Sequence, residues 1–319
     1  MRAGLRSTLA VLMAVTVACA GSGAGDGRPD SASPEPSPRS RPALAIEEYE
    51  ETFVDTGRTT EAVGATPASD RRTLPTRVTT PAAGQPGAPY SLVVYAHGNG
   101  GNNRSGIGLQ RALAAAGYVV AAPTFPFGDG RAPDVLVGAM DIMNQPGDLT
   151  YVITEVLRLN HDRSSPLHGL VEPSRIGAVG HSAGGATVLA LAGNTCCYDG
   201  RVKAAVVLAS GEVQFGSGEF WTRIRTPMLY VHGDADGTIP YRSGRAAYEN
   251  TPPPRFLVTI LGGDHGRPYG GDVNDPQGRV VVDTTLDFLD HYLLDGTTSI
   301  AQLRADATVP GVSRYLGEE

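Results

Sequence analysis

The chain has 319 residues, with 33 acidic against 26 basic side chains and a formal net charge of −7. This balance, with arginines scattered rather than clustered and Lys203 the only lysine, excludes a surface built to hold nucleic acid. The length allows one large α/β domain or two small ones, and suffices to bury a core.

At the N-terminus, Arg2 and Arg6 precede an apolar run from Leu9 to Ala18, which is shorter than the roughly 20 residues needed to span a bilayer. Residues 1–18 therefore read as an export signal. Val17-Ala18-Cys19 resembles the lipobox of bacterial lipoproteins, which implies that Cys19 is lipidated and attaches the chain to the cell membrane. Thr16 departs from that pattern, and secretion after cleavage nearby is the alternative. Residues 19–45 are dense in Gly, Ser and Pro and almost free of large apolar side chains. They cannot bury enough surface to fold and read as a disordered, semi-rigid tether.

The folded domain is expected over 46–300, with 301–319 as a C-terminal tail. Tyr49 to Val54 and Thr73 to Thr80 read as leading strands, the second closed by a Pro- and Gly-rich turn. A βα rhythm follows, with a strand from Ser91 to Ala96, a helix from Leu109 to Ala116 and a strand from Tyr118 to Ala122. Asp148 to Leu159 has helical periodicity, and the next strand covers Arg175 to Val179. Further strands are expected at Ala204–Ala209, Met228–Val231 and Phe256–Ile260, and helices at Ser243–Asn250 and Val280–Leu293. Short apolar runs alternating with helices predict a mostly parallel central sheet with helices on both faces. No insertion is long enough for a large lid; the longest candidate cover is Gly211 to Phe220.

Gly180-His181-Ser182-Ala183-Gly184 sits between an apolar strand and a helix-like stretch. A serine on such a strand-to-helix turn takes a strained backbone conformation that only small neighbours tolerate. The amides that open the helix favour developing negative charge. Two more turns follow predicted strands, His232-Gly233-Asp234-Ala235-Asp236 and Gly262-Gly263-Asp264-His265-Gly266. Groups at the carboxyl ends of strands can converge in an open α/β sheet, and the order Ser182, Asp236, His265 fits a nucleophile, an acid and a base. The backbone amide of Ala183, next to the serine, is a candidate oxyanion donor.

With these motifs the chain resembles the α/β-hydrolase superfamily over about Tyr49 to Leu294. Its compact build is similar to the branch of dienelactone-hydrolase-like esterases, chlorophyllases, polyester hydrolases and platelet-activating-factor-acetylhydrolase-like enzymes; Asn144-Gln145-Pro146-Gly147-Asp148 also looks like that branch. The resemblance implies a single α/β-hydrolase domain. It further implies that Asp236 rather than Asp234 is the acid, because the family's acid lies four residues before the proline, here Pro240. It also implies that the main chain of Asn99, in His97-Gly98-Asn99-Gly100-Gly101, is the second oxyanion donor.

The expected activity is hydrolysis of small or medium carboxylic esters, lipids or polyesters among them, through an acyl-enzyme on Ser182, without metal or cofactor. Peptide hydrolysis or acyl transfer would use the same residues, and a tethered non-catalytic binding module is the reading from another class. His181, beside the serine, is expected to pack under the elbow. Cys196 and Cys197 read as either a vicinal disulfide or two small buried residues. The acidic Asp272, Asn274 and Asp275 match no calcium loop and read as a solvated turn.

Overall fold

The structure is a computed structural model that describes residues 42–62, 67–128 and 140–319. The export signal, Cys19 and nearly all of the tether lie outside the described residues. Nine strands form one sheet, ordered β1-β2-β4-β3-β5-β6-β7-β8-β9. They are β1 (Ile46–Asp55), β2 (Arg72–Pro81), β3 (Tyr90–Ala96), β4 (Tyr118–Pro123), β5 (Val171–His181), β6 (Val202–Leu208), β7 (Met228–Gly233), β8 (Arg255–Ile260) and β9 (Ser313–Glu318). The run from β4 to β8 is parallel, while β1, β2 and β9 join antiparallel at the two sides.

The sequence explains this burial on both faces. Along β3 every residue is buried, but Leu92, Val94 and Ala96 belong to one apolar cluster and Val93 and Tyr95 to the other. The first cluster is covered by α2 (Gln145–His161), α3 (Ala183–Gly193) and α4 (Tyr241–Asn250). The second is covered by α1 (Ile107–Ala115), α5 (Pro276–Leu293) and α6 (Ile300–Asp306). A parallel strand faces helices on both sides, so an uninterrupted apolar run is what its environment demands.

The segment 301–319 is not a tail. Its first residues belong to α6, and Ser313–Glu318 pairs along β8 as the ninth strand, Leu257 opposite Leu316. The short strand alternates exposed and partly buried positions at the edge of the sheet, which left a weak apolar signal. The predicted helix beginning at Asp148 in fact begins at Gln145, because Pro146 is at home in a first helical turn.

Cys196 and Cys197 are disulfide-bonded to each other just beyond α3, and Cys196 is exposed rather than buried. The expected cover from Gly211 to Phe220 is irregular backbone whose Phe215 packs on Ile142, Ala186 and Ala190.

Beneath α2 lies a buried ion network. Arg72, with no exposure, grips Asp141 at 2.8 and 2.9 Å and Asp148 twice at 2.7 Å. Arg58 adds a bond to Asp148 at 2.8 Å and one to Asp55 at 2.6 Å. Among the described residues no helix is long and apolar enough to cross a membrane.

Candidate active site

β5 ends at the centre of the sheet, and its last residue, His181, leads into Ser182. Ser182 caps α3 with φ 56° and ψ −123°, a left-handed conformation costing a non-glycine residue about 1–3 kcal/mol. The surroundings hold it there. Its N–H donates to the Leu208 carbonyl at 2.9 Å, and its carbonyl accepts from Gly185 and Ala186. A Cβ at Gly180 would run into the Gly184 carbonyl, and one at Gly184 into the Ala96 carbonyl. These two glycines let strand, turn and helix close tightly enough to present the hydroxyl.

Asp236 and His265 arrive on the turns after β7 and β8. The His265 Nδ1–H donates to Asp236 Oδ2 at 2.7 Å, and His265 Nε2 lies 2.8 Å from Ser182 Oγ. The other carboxylate oxygen, Asp236 Oδ1, accepts the backbone N–H groups of Thr238 and Ile239, both at 2.8 Å. Burial pushes the Asp236 carboxyl up, but the His265 bond and the two amides outweigh it and hold the group below the usual carboxylate range. Asp234 is elsewhere: it is exposed, and its Oδ1 accepts from the Gly262 amide at 2.6 Å.

Ala183 opens α3, where the first amides have no partner within the helix. Asn99 lines the same cleft as Ser182. Its loop lies directly against Ser182, since a Cβ at Gly98 would stand 3.0 Å from Ser182 Cβ. His97 fixes that loop from below: its Nε2 accepts the Phe125 N–H at 3.1 Å, so Nδ1 carries the proton and donates to the Gly98 carbonyl at 2.8 Å. The cleft has a volume of about 380 Å³ and runs from Ser182 between the 98–106 loop and the 265–270 turn.

A half-buried serine hydroxyl that lines the cleft, an imidazole within reach of its proton and a buried carboxylate behind that imidazole can together perform nucleophilic displacement at an acyl carbon. A model of the dienelactone hydrolase family matches residues 76–251, more than half of the chain. The chain belongs to the dienelactone hydrolase family. It is a hydrolase of the α/β-hydrolase type, and no curated protein matches it. The span shared with the dienelactone hydrolase family runs from β2 through α4 and holds both Ser182 and Asp236; His265 lies beyond it, on the turn after β8.

Around the residues that the motifs identify, this dienelactone hydrolase family member places others that they did not. His181 does not pack under the elbow. Its ring lines the cleft, 5.0 Å from the His265 ring and 5.2 Å from the Tyr269 ring, and its Nε2–H donates to the His265 carbonyl at 2.7 Å. The reason is that β5 continues to His181, so the pleat turns this side chain toward the base turn. His232, at the end of β7, is buried beside the acid: its Nε2–H donates to the Ile239 carbonyl at 2.9 Å and lies 3.3 Å from Asp236 Oδ2. Tyr269 accepts the Gly233 N–H at 2.8 Å, tying the turn after His265 to the end of β7, just before Asp236. Tyr95 reaches the cleft from β3. Among the described residues no group of three or more His, Cys, Asp or Glu side chains is placed to hold a metal ion.

Proposed function

We propose that the protein cleaves carboxylic esters through an acyl-enzyme on Ser182. The observation that carries this reading is the unbroken hydrogen-bonded chain Asp236–His265–Ser182, at 2.7 and 2.8 Å. In the first half-reaction the Ser182 oxygen attacks the carbonyl carbon while His265 Nε2 takes the hydroxyl proton. The negative charge that develops on the carbonyl oxygen is met by the backbone amides of Ala183 and Asn99. Preorganised donors of this kind contribute roughly 3–4 kcal/mol to transition-state stabilisation. The carbon–oxygen bond to the alcohol then breaks, and the alkoxide takes the proton from His265. Water, deprotonated by the same imidazole, attacks the acyl-enzyme, releasing the acid and returning the proton to Ser182. Asp236 keeps His265 in the tautomer that can accept at Nε2 and stabilises the imidazolium formed at each stage.

A fluorophosphonate probe tests the nucleophile. Wild type is expected to label and Ser182→Ala not to label; a folded wild type that stays unlabelled ends the proposal. We also propose that the catalytic domain is exported and held at the cell membrane by a lipid on Cys19.

A further inference from the structure

The walls of the cleft at Ser182 carry information about what enters it. Six of the lining residues are glycines and the others are Tyr, Ser, His and Asn. Among the described residues, no aliphatic side chain lines it. An alkyl chain gains by burying methylenes against apolar side chains, whereas here it would displace water from peptide groups, hydroxyls and imidazole nitrogens. The volume of about 380 Å³ sits at the small end of ligand-binding sites.

The chemistry also places the alcohol half of an ester in the part of this space beyond His265. His265 must return its proton to the leaving oxygen, so that oxygen lies within hydrogen-bond reach of Nε2. The cleft continues past His265 to Gly266, Tyr269 and Gly270. Whatever the leaving oxygen carries therefore runs into it.

Along that path the polar groups are both donors and acceptors. The Tyr95 hydroxyl end lies against Gly106, in the cleft wall, and burial keeps the phenol protonated as a donor. Ser105 Oγ accepts the Asn102 N–H at 3.0 Å, which leaves its own proton for another acceptor. His181 commits its Nε2–H to the His265 carbonyl at 2.7 Å, so its Nδ1 is a lone-pair acceptor. The His181 and Tyr269 rings, tilted by 34° to each other, add aromatic faces. Hydroxyl donors, an imidazole acceptor and aromatic faces together suit a molecule with many hydroxyls on a compact carbon frame.

We propose that the alcohol portion of the substrate is a polyol or sugar, bound in this cleft by Tyr95, Ser105 and the Nδ1 of His181 against the ring of Tyr269. The inference rests on the ester-hydrolase reading of Ser182 and gives that reading a substrate class.

Acetates with a common acyl group test it on the full chain. We compare kcat/KM for glucose 6-acetate and glycerol monoacetate with that for hexyl acetate, using p-nitrophenyl acetate as the activated reference. Wild type is expected to prefer the hydroxylated acetates to hexyl acetate by at least about tenfold. Tyr95→Phe and Ser105→Ala are each expected to lower that ratio by roughly fivefold or more. Because the ratio is taken within one preparation, a poorly folding variant cannot imitate the effect. Hexyl acetate turned over as well as the hydroxylated esters, or neither class turned over while p-nitrophenyl acetate is, overturns the alcohol assignment alone. Failure on p-nitrophenyl acetate together with absence of fluorophosphonate labelling overturns the ester-hydrolase reading beneath it.

Discussion

The Nε2–H of His181 donates to the backbone carbonyl of His265 at 2.7 Å, so the residue before Ser182 holds the backbone of the histidine whose ring faces Ser182. Burial pushes the His181 imidazole down to about 4, although its bond to that carbonyl pulls the other way. In the unfolded chain the ring titrates near 6.5. Between those values the unfolded state binds the proton and the folded state does not. His181 therefore contributes stability that is complete above about pH 6.5 and lost as the pH falls toward 4. At 1.36 kcal/mol per pKa unit the loss is on the order of 3 kcal/mol. Thermal melts across this window are expected to show a steep fall for wild type and a shallower one for His181→Gln. Parallel slopes would refute the assignment.

Asp236 and Asp234 are two residues apart but make unlike contacts. Asp236 accepts His265 Nδ1–H, while Asp234 accepts only the Gly262 amide among the bonds described for it. Replacing the acid by its amide disfavours the productive imidazole tautomer, so Asp236→Asn is expected to lower kcat on a p-nitrophenyl ester by about 10⁴-fold. Asp234→Asn should stay within roughly tenfold of wild type, since its role is to brace a turn. The reverse ranking would transfer the role to Asp234.

Arg72 neutralises two buried carboxylates that, among the described residues, have no other cation of comparable burial beside them; Arg58, which shares Asp148, is about one-third exposed. Removing one partner of a buried pair leaves uncompensated charge, which typically costs about 3–5 kcal/mol. Urea unfolding of Arg72→Met should show a loss of that size, with a visibly smaller one for Arg58→Met. The damage should also reach the site: α2, which the network anchors, meets α3 through a 2.6 Å bond from Thr187 Oγ1 to Gln145 Oε1. A loss under about 1 kcal/mol for Arg72→Met would show that the network is dispensable.

Lipidation of Cys19 is tested by detergent-phase partitioning of the protein expressed in a bacterial host. The full chain is expected in the detergent phase and Cys19→Ser in the aqueous phase. Equal partitioning of the two would reject the anchor.

The strands from β3 to β8 were legible because a parallel strand covered on both faces must be written as an apolar run, and the turns beyond them because Ser182, Asp236 and His265 sit among glycines. β9 was not legible: at an edge, half of its side chains face solvent, and Ser313 to Glu318 has the look of a polar terminus. His181 was misjudged because periodicity within β5 says which way a side chain points but not what another loop brings to meet it. The Arg72 network was invisible for a related reason. Its central members, Arg72, Asp141 and Asp148, come from β2, a short 3₁₀ turn at Asp141–Met143 and α2, and such ordinary charged residues announce nothing until the fold places them together.

The pairing of β7 with β8 sets His232 opposite Thr259 and Gly233 opposite Ile260, and the turns that carry Asp236 and His265 leave the sheet beyond those pairs. Slipping one strand by a single residue would displace the two turns by about 3.3 Å, more than any hydrogen bond between them could tolerate. The ladder thus acts as a ruler, and the contact between Asp236 and His265 inherits its accuracy from backbone bonds that touch neither side chain. Drift in the intervening loop sequence can then be absorbed without detuning the chemistry, provided the two strands keep count.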